Sequence, residues 1–583
     1  MNMQTSVTIR RRALRSILSL GLIWSFSLAQ ATEPQLAPLT PLAPLGSQQN
    51  PSPQPNAGSG FVLPVVPKES NLQIPSDIGA RRLLQDVQFA GNTVFSDATL
   101  KAIARPYLGR ALGALELEEL RRAITLHYVN QGYVNSGALL DVASLQNNGV
   151  LKVTVVEGRF SQVRLRGLGR LNENYVVNRL VPDPTAPLNL ETLRERYQLL
   201  LSDPLFTGIT TRLVPDVDQG KAVLDVEVAR ALPYQLTLSA DNHRAPSIGE
   251  SALGVAGLVR NLTGYGDTLR ANWQGAADGA ANGNGSDRYG LTWAMPLNAW
   301  GTQLTVQRDI GSSAVTEEPL NVLNIKSQLD STEVGLNQTV VDTLRQRLSY
   351  GLAWSQRTNR TWMLGEPFSF SSGIADGVLT QTTRKAWQDL TYRTDNSALV
   401  ARITRHEVQT NLTPAAAGVD PNLQPPAQYG YWVTQLNMSH RLTEAGTQLQ
   451  ARATLQNATT HLTSLDGLGI GGASTVRGYR ENQLLRDQGT IVNLELDMPM
   501  VSKKGSEGIQ LNLIPFIDWG QGNNVGESPT VLSSAGLALR AEWRGVSVNL
   551  ALAKRLAYPA SVDALSGNLQ DKSIHFQVAY NAF

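Results

Sequence analysis

From Pro233 onward the side chains alternate in polarity with period two, and that pattern limits the fold more than any other feature of the chain. Val492, Leu494, Leu496 and Met498 stand against Asn493, Glu495 and Asp497. Gln510, Asn512 and Asp518 share one parity, and Leu511, Leu513, Ile517 and Trp519 share the other. Leu537, Leu539 and Trp543 likewise oppose Arg540, Glu542 and Arg544. Each run reads as a β-strand with one apolar and one polar face. A soluble sandwich and a membrane barrel both satisfy this, because the apolar face can meet a second sheet or lipid. Alternation alone does not choose between them.

Length and turns do help. From Tyr234 to Phe583 we count about 16 strand candidates, each near the roughly 9–11 residues that cross an outer membrane. An antiparallel sheet of that size is expected to close on itself and so remove its edges. Connections alternate between short and long. Arg544-Gly545 is a tight turn, whereas Ala276–Asp287 and Asn411–Tyr429 are long polar loops, as in barrels with short turns on one side. No apolar run of about 18 residues occurs beyond the N-terminal segment, which argues against a helical membrane protein.

That N-terminal segment reads as a secretory signal over residues 1–31. Arg10, Arg11, Arg12 and Arg15 precede an apolar stretch from Ile17 to Leu28, and Ala29-Gln30-Ala31 is a small-x-small cleavage site. Residues 32–82 form a Pro-rich linker. Prolines 34, 38, 41, 44, 51, 53, 55, 64 and 67 preclude a continuous helix there, and an extended or disordered chain is expected.

Two α/β units follow, over residues 83–158 and 159–232. In the first, the strand Val87-Gln88-Phe89 ends at Gly91-Asn92, and Ser96 can cap a helix. Leu117, Leu120, Ile124 and Tyr128 have helical spacing, and Gly132 ends that helix. Strands follow at Ala138–Val142 and Val150–Val156. The β-α-α-β-β order repeats with helices at Glu173–Leu180 and Leu190–Leu201, then strands at Thr210–Val214 and Val223–Val228. The phrases Gly91-Asn92-Thr93-Val94-Phe95 and Val155-Val156-Glu157-Gly158 look like the hallmark turns of POTRA (polypeptide-transport-associated) domains. The resemblance implies two POTRA units, with Gly91, Asn92, Phe95, Gly132, Glu157 and Gly158 as hallmark positions.

Composition excludes several functions. Charged residues are 17% of the 583 and the net charge is +2, so there is no electrostatic reason to expect nucleic acid. There are no cysteines, hence no disulfides and no cysteine-ligated metal. Gly467-Leu468-Gly469-Ile470-Gly471-Gly472 matches G-x-G-x-x-G literally but lacks the strand–turn–helix setting that holds phosphate, and reads as a flexible loop approach. His406-Glu407 has no second histidine at helical spacing, and no nucleophile elbow is visible. No enzyme, cofactor or metal site is expected.

Gly471-Gly472-Ala473-Ser474-Thr475-Val476-Arg477-Gly478-Tyr479-Arg480 reads as a loop tip that aims an arginine. Phe516-Ile517-Asp518-Trp519-Gly520 reads as a strand offering a carboxylate, and Asp518 has the parity of the polar face. Spacing alone leaves two unrelated surface charges as the simpler reading. Together, however, these segments resemble the Val-Arg-Gly-Tyr loop and the Phe-x-Asp-x-Gly strand of the BamA-like outer-membrane translocases. That resemblance implies a loop folded into the barrel, with Arg477, Gly478, Tyr479 and Asp518 as a lock and Val476, Gly471, Gly472, Phe516 and Gly520 supporting it. An arginine suits this role because its planar fork grips a carboxylate bidentately and stays charged when desolvated.

Over roughly residues 83–583 the architecture resembles the TpsB transporters of two-partner secretion, the FhaC/ShlB type. The resemblance implies an outer-membrane pore with periplasmic POTRA domains. Such a pore exports one large exoprotein, an adhesin, hemolysin or contact-dependent toxin, through that partner's N-terminal secretion domain and without ATP. Outer-membrane lipid and, during biogenesis, the barrel assembly machinery are the other expected partners. Phe583 is the terminal aromatic such assembly uses. Its parity differs from that of Ile574, Phe576, Val578 and Tyr580, which a bulge near Asn581-Ala582 would reconcile. Relatives with an N-terminal plug helix have a segment of which only the linker-like part is visible here. Two rivals stay open. A general assembly factor carries more POTRA units than fit before Pro233, and a passive porin needs neither the POTRA pair nor the Arg477 loop.

Overall fold

Two helices laid on a small sheet bury one stripe each, and this packing builds both N-terminal units. The computed structural model describes residues 60–62, 81–218, 220–277, 286–370, 373–414, 424–502, 508–558 and 567–582. The signal segment, nearly all of the linker and Phe583 lie outside them. In the first unit the strand Val150–Val156 pairs parallel with Asp86–Ala90 and antiparallel with Gly137–Asp141. Its Leu151, Val153 and Val155 are buried against Leu117, Leu120, Ile124 and Tyr128 of the helix Ala114–Asn130. The helix Asp97–Ala104 is capped by the Ser96 side chain, which accepts from the Thr99 N–H. A two-residue pair, Arg82–Leu83 with Ala111–Leu112, adds to the expected order.

The second unit repeats the plan. Lys221–Arg230 lies between Phe206–Pro215 and Arg159–Arg166, under helices Glu173–Leu180 and Leu190–Leu201. One pairing was not expected. Within the segment read as linker, Gly60–Val62 runs parallel to Thr210–Arg212 and forms the fourth strand of this sheet.

The hallmark residues hold the first unit together and join it to the second. Glu157 is buried and accepts from the Thr93 and Val94 N–H groups at 2.7 and 2.8 Å, from the Thr93 hydroxyl, and from the Tyr128 hydroxyl at 3.1 Å. Burial and this carboxylate hold the Tyr128 phenol above the ordinary tyrosine value, so it remains a donor. Asn92 donates to the Phe95 carbonyl at 3.0 Å, and the Phe95 ring packs edge-on to Tyr128 at 4.8 Å. Gly91 lies against the Val155 carbonyl. Across the junction, the Leu188 N–H donates to the Gly158 carbonyl at 2.6 Å and the Leu190 N–H to the Gly132 carbonyl at 2.9 Å. A Cβ on Gly158 would stand 2.4 Å from the Asn135 carbonyl oxygen, so only glycine permits this approach.

Sixteen long antiparallel strands then close into a barrel. They are β1 Tyr234–Asp241, β2 Ala252–Arg260, β3 Thr268–Ala276, β4 Asp287–Pro296, β5 Thr302–Ala314, β6 Lys326–Asp342, β7 Gln346–Met363 and β8 Val378–Arg393. Then come β9 Ser397–Thr410, β10 Gln428–Arg441, β11 Gln448–Ala458, β12 Gln488–Ser502, β13 Gln510–Asn523, β14 Thr530–Trp543, β15 Val546–Arg555 and β16 Ile574–Asn581. Outward positions such as Leu494, Ile517, Leu537 and Leu539 are exposed, while Asn493, Glu495, Asp497 and Asp518 are buried inward. Alternation therefore faces lipid on one side and a polar lumen on the other.

β1 closes on β16 from Thr237↔Asn581 to Asp241↔Gln577. Beyond it, buried Asn242 continues the seam with its side chain, accepting from the Phe576 N–H at 2.8 Å and donating to the Ile574 carbonyl at 2.9 Å. The bulge expected near Asn581-Ala582 is not formed among the described residues. The Ala582 N–H donates to the Leu236 carbonyl at 2.9 Å and carries the regular register onward.

The short turns lie at the end that meets the second α/β unit. There the Asn172 N–H donates to the Gly264 carbonyl at 2.8 Å, and the Tyr175 ring occupies the space over Gly266. The longer connections leave the strands at the opposite end. We expect Glu157→Ala to strip four donors of their acceptor and to destabilise the first unit by about 1–3 kcal/mol. Limited trypsinolysis of the full-length protein should then cleave within residues 83–158 sooner, while the barrel keeps its heat-shifted gel migration.

Candidate functional site: a loop locked inside the barrel

The connection between β11 and β12, residues 459–487, turns inward instead of projecting from the far mouth. Its two arms pair as a ribbon, Leu468–Ile470 against Leu484–Arg486. This corrects the reading of Gly467–Gly472 as a flexible approach. Leu468, Gly469 and Ile470 are buried strand residues, with Leu468 and Ile470 packed on Val476, Tyr479, Ile491 and Leu532. Gly471 and Gly472 then bend the chain with φ of +110° and +111°, and the Thr475 hydroxyl accepts from the Gly471 N–H at 2.9 Å.

At the tip Arg477 meets Asp518 of β13. Its Nε and Nη2 donate to Oδ2 and Oδ1 at 2.7 and 2.8 Å, and its backbone N–H donates to Oδ2 at 3.0 Å. Asn493 of β12, the register partner of Asp518, donates to Oδ1 at 2.7 Å. The third nitrogen, Nη1, lies 2.8 Å from Glu495, which also binds Arg452 at 2.6 Å. The guanidinium carbon sits 3.5 Å over the Phe516 ring. Asp518 is fully buried and Arg477 nearly so, and each guanidinium nitrogen of Arg477 has a carboxylate partner.

The neighbours of Arg477 extend the grip to the last strands. The Gly478 N–H donates to His575 Nε2 of β16 at 2.9 Å, and its carbonyl accepts from Arg555 and from the Ser573 hydroxyl. Gly478 has φ +93°, and an added Cβ would stand 2.8 Å from the Ala553 methyl. The Tyr479 hydroxyl sits between the carbonyls of Ser533 and Ala557 at 2.9 and 2.5 Å. Gly520 is bare where Ile470 and Val476 press on the wall, at 2.6 and 2.8 Å from the site of a Cβ. Each residue named from the loop and strand motifs thus falls within one cluster. Phe583 is outside the described residues.

Several participants had no individual mark in the sequence. Asn493 and Glu495 could be read only as polar-face positions of β12, and nothing paired His575 or Arg555 with the tip. A second anchor was missed altogether. Asp466, at the base of the loop, is fully buried and accepts from Arg357 Nη2 at 2.7 Å and Gln381 at 2.6 Å. The hydroxyls of Tyr429 and Tyr431 donate to it at 2.6 and 2.9 Å. The loop is therefore pinned to β7, β8 and β10 at its base and to β12 through β16 at its tip.

Beneath the tip lies a cavity of about 1240 Å³ lined by both polar and apolar side chains. It runs from Tyr175 and Arg179 of the second α/β unit past Arg402 and Arg452 on the barrel wall to Thr475 of the loop. Among the described residues, no group of three or more potential ligands is placed to hold a metal ion.

The family model of the haemolysin secretion/activation protein ShlB/FhaC/HecB matches residues 220–542, and that of the ShlB-type POTRA domain matches residues 83–158. The outer membrane transporter CdiB of Dickeya dadantii is 21% identical over 418 residues, 71% of this chain and 72% of that protein. The heme/hemopexin transporter protein HuxB of Haemophilus influenzae is 25% identical over 173 residues, 29% of this chain and 30% of that protein. Among solved structures, CdiB from Escherichia coli superposes with a TM-score of 0.67 at 17% identity, covering 89% of this chain and 93% of that one. CdiB from Acinetobacter baumannii gives 0.60 at 16% identity, covering 99% and 98%. These two superpositions establish the shared fold.

Removing Arg477 would leave Asp518 buried without its cation and Glu495 with Arg452 alone, at a cost of roughly 3–5 kcal/mol. In Arg477→Ala, backbone amides of residues 471–482 should exchange hydrogen faster while those of the barrel strands stay protected. Unchanged protection of the tip would show that the pair does not hold it.

Proposed function

We propose that this chain, which belongs to the ShlB/FhaC/HecB family of haemolysin secretion/activation proteins, exports a single large exoprotein by passing it unfolded beneath and then past the locked loop. The chain is a two-partner secretion transporter of the outer membrane, with a β-barrel in that membrane and a POTRA domain in the periplasm. The observation that carries the finer reading is the cavity that joins the second α/β unit to the underside of the Arg477 tip. It supplies a path into the lumen, and the loop is what lies across that path.

In this reading both α/β units are POTRA domains and receive the client. An extended segment adds to an exposed sheet edge through main-chain hydrogen bonds. The exposed edge strand of the second unit is Arg159–Arg166, since Gly60–Val62 covers the opposite edge. The lumen then conducts the chain past paired charges such as Arg402–Asp389 and Arg452–Glu495, which offer it hydrogen bonds. No nucleotide is used, and folding of the client outside supplies the direction. The lock gives the loop one resting position, a role for which a buried ion pair suits better than for net stability. The client is an adhesin, a hemolysin or a contact-dependent toxin.

In a strain lacking this protein, one large exoprotein should disappear from the medium while outer-membrane porins stay at normal levels. A joint fall of the porins would identify a general assembly factor instead. Arg477→Ala should insert into the membrane normally and depress secretion of that exoprotein. Normal secretion by the inserted variant would remove the role assigned to the lock.

A further inference from the structure

Arg480 lies three residues beyond Arg477 and does not join the luminal lock. Its Nε and Nη2 donate to the two oxygens of Asp571 at 2.6 and 2.8 Å, and its Nη1 and Nη2 donate to the two oxygens of Glu317 at 3.1 and 2.9 Å. Asp571 belongs to the β15–β16 connection and Glu317 to the β5–β6 connection, both at the far mouth. One planar cation thus grips two carboxylates from loops that are distant in sequence, with the fork-on-carboxylate geometry arginine favours. The side chains are 18%, 3% and 22% exposed for Arg480, Asp571 and Glu317, so water screens the contact only in part.

Other contacts gather the mouth around this point. The Glu481 N–H donates to Gln570 Oε1 at 2.8 Å, and Gln570 Nε2 donates to the carbonyls of Asn242 and Arg244 at 2.6 Å each. Glu250 accepts from the N–H groups of Leu569 and Gln570 at 3.1 and 3.3 Å. The Thr316 N–H donates to the Ser247 carbonyl at 2.9 Å. The described parts of the β1–β2, β5–β6 and β15–β16 connections therefore meet at the far mouth, and Arg480 and Glu481 of the inward loop tie the last two of them to the tip.

We propose that Arg480 is a latch of the extracellular mouth, a positioning residue that couples the luminal lock to the outer loops. Arg477 and Arg480 share one short tip, pinned between them by the Tyr479 hydroxyl. A tip that leaves Asp518 withdraws Arg480 from Glu317 and Asp571 in the same movement, and the mouth parts. The closed mouth in turn favours the locked tip, because coupling between two sites is reciprocal. This inference rests on the export reading only for its purpose, since the latch acts on the pore whether or not a client is present.

The test uses the purified full-length protein in planar lipid bilayers with potassium chloride as the permeant. Heat-shifted gel migration first establishes that each barrel is folded. Arg480→Gln should raise the resting conductance several-fold, and Arg480→Lys, which keeps the charge but loses the fork, should raise it less. The double variant Glu317→Gln with Asp571→Asn should match Arg480→Gln without touching the tip, and it serves if Arg480→Gln does not fold. Because the chain has no cysteine, Glu317→Cys with Asp571→Cys in the Arg480→Gln background can be joined by a short bis-maleimide, which should return the pore to its closed level. Resting conductances equal to that of the unaltered protein in both Arg480→Gln and the carboxylate double variant would overturn the latch, as would a cross-link without effect. A conductance rise together with an exoprotein that reaches the medium without this protein would leave the latch standing and overturn the export reading.

Discussion

A guanidinium drawn into the narrow interior of a barrel must be neutralised and saturated with acceptors, and Arg477 is both. Asp518 takes its fork, Glu495 takes the remaining nitrogen, and the Phe516 ring covers its face. The cost of breaking such an arrangement by removing one member exceeds what forming it contributes. The pair therefore acts chiefly as a selector of position. It gives a long connection one place to be, and that place lies across the lumen.

The rest of the interior is organised by this choice. The arms of the loop pair with each other, so their backbone groups are satisfied where no water-filled loop region could serve them. The base is held by Asp466 among Arg357, Gln381, Tyr429 and Tyr431, on the wall opposite the tip anchors. Two charged anchors on different strands make the loop a strut across the barrel. Arg480 then carries the same segment outward to Glu317 and Asp571. Cavity, lock and mouth thus lie in series along a single segment.

The N-terminal units obey the same logic at smaller scale. Glu157 gathers the turn at Thr93 and Val94 and the helix at Tyr128 into one fixed body. Gly132 and Gly158 present carbonyls to Leu190 and Leu188, so the hallmark positions of the first unit also seat the second. The second unit rests on the short-turn end of the barrel through Asn172 and Tyr175.

What the sequence determined by itself was everything set by local periodicity and local stereochemistry. The strand faces, the helix ends at Ser96 and Gly132, the inward parity of Asp518 and the glycine-flanked tip around Arg477 all follow from side-chain alternation and backbone freedom within a few residues. Only the tertiary structure decided which wall the tip would meet. Closure of the sheet brings β12 to β16 around one point and the β5–β6 connection over it, and so makes partners of Arg477 with Glu495, Gly478 with His575, and Arg480 with Asp571 and Glu317. The ribbon hidden in Gly467–Gly472 was illegible because its partner strand lies beyond the tip. Gly60–Val62 was illegible because a parallel edge pairing leaves no mark in a proline-rich stretch. Asp466 looked like any loop acid, since a carboxylate becomes an anchor only when folding removes its water and surrounds it with donors.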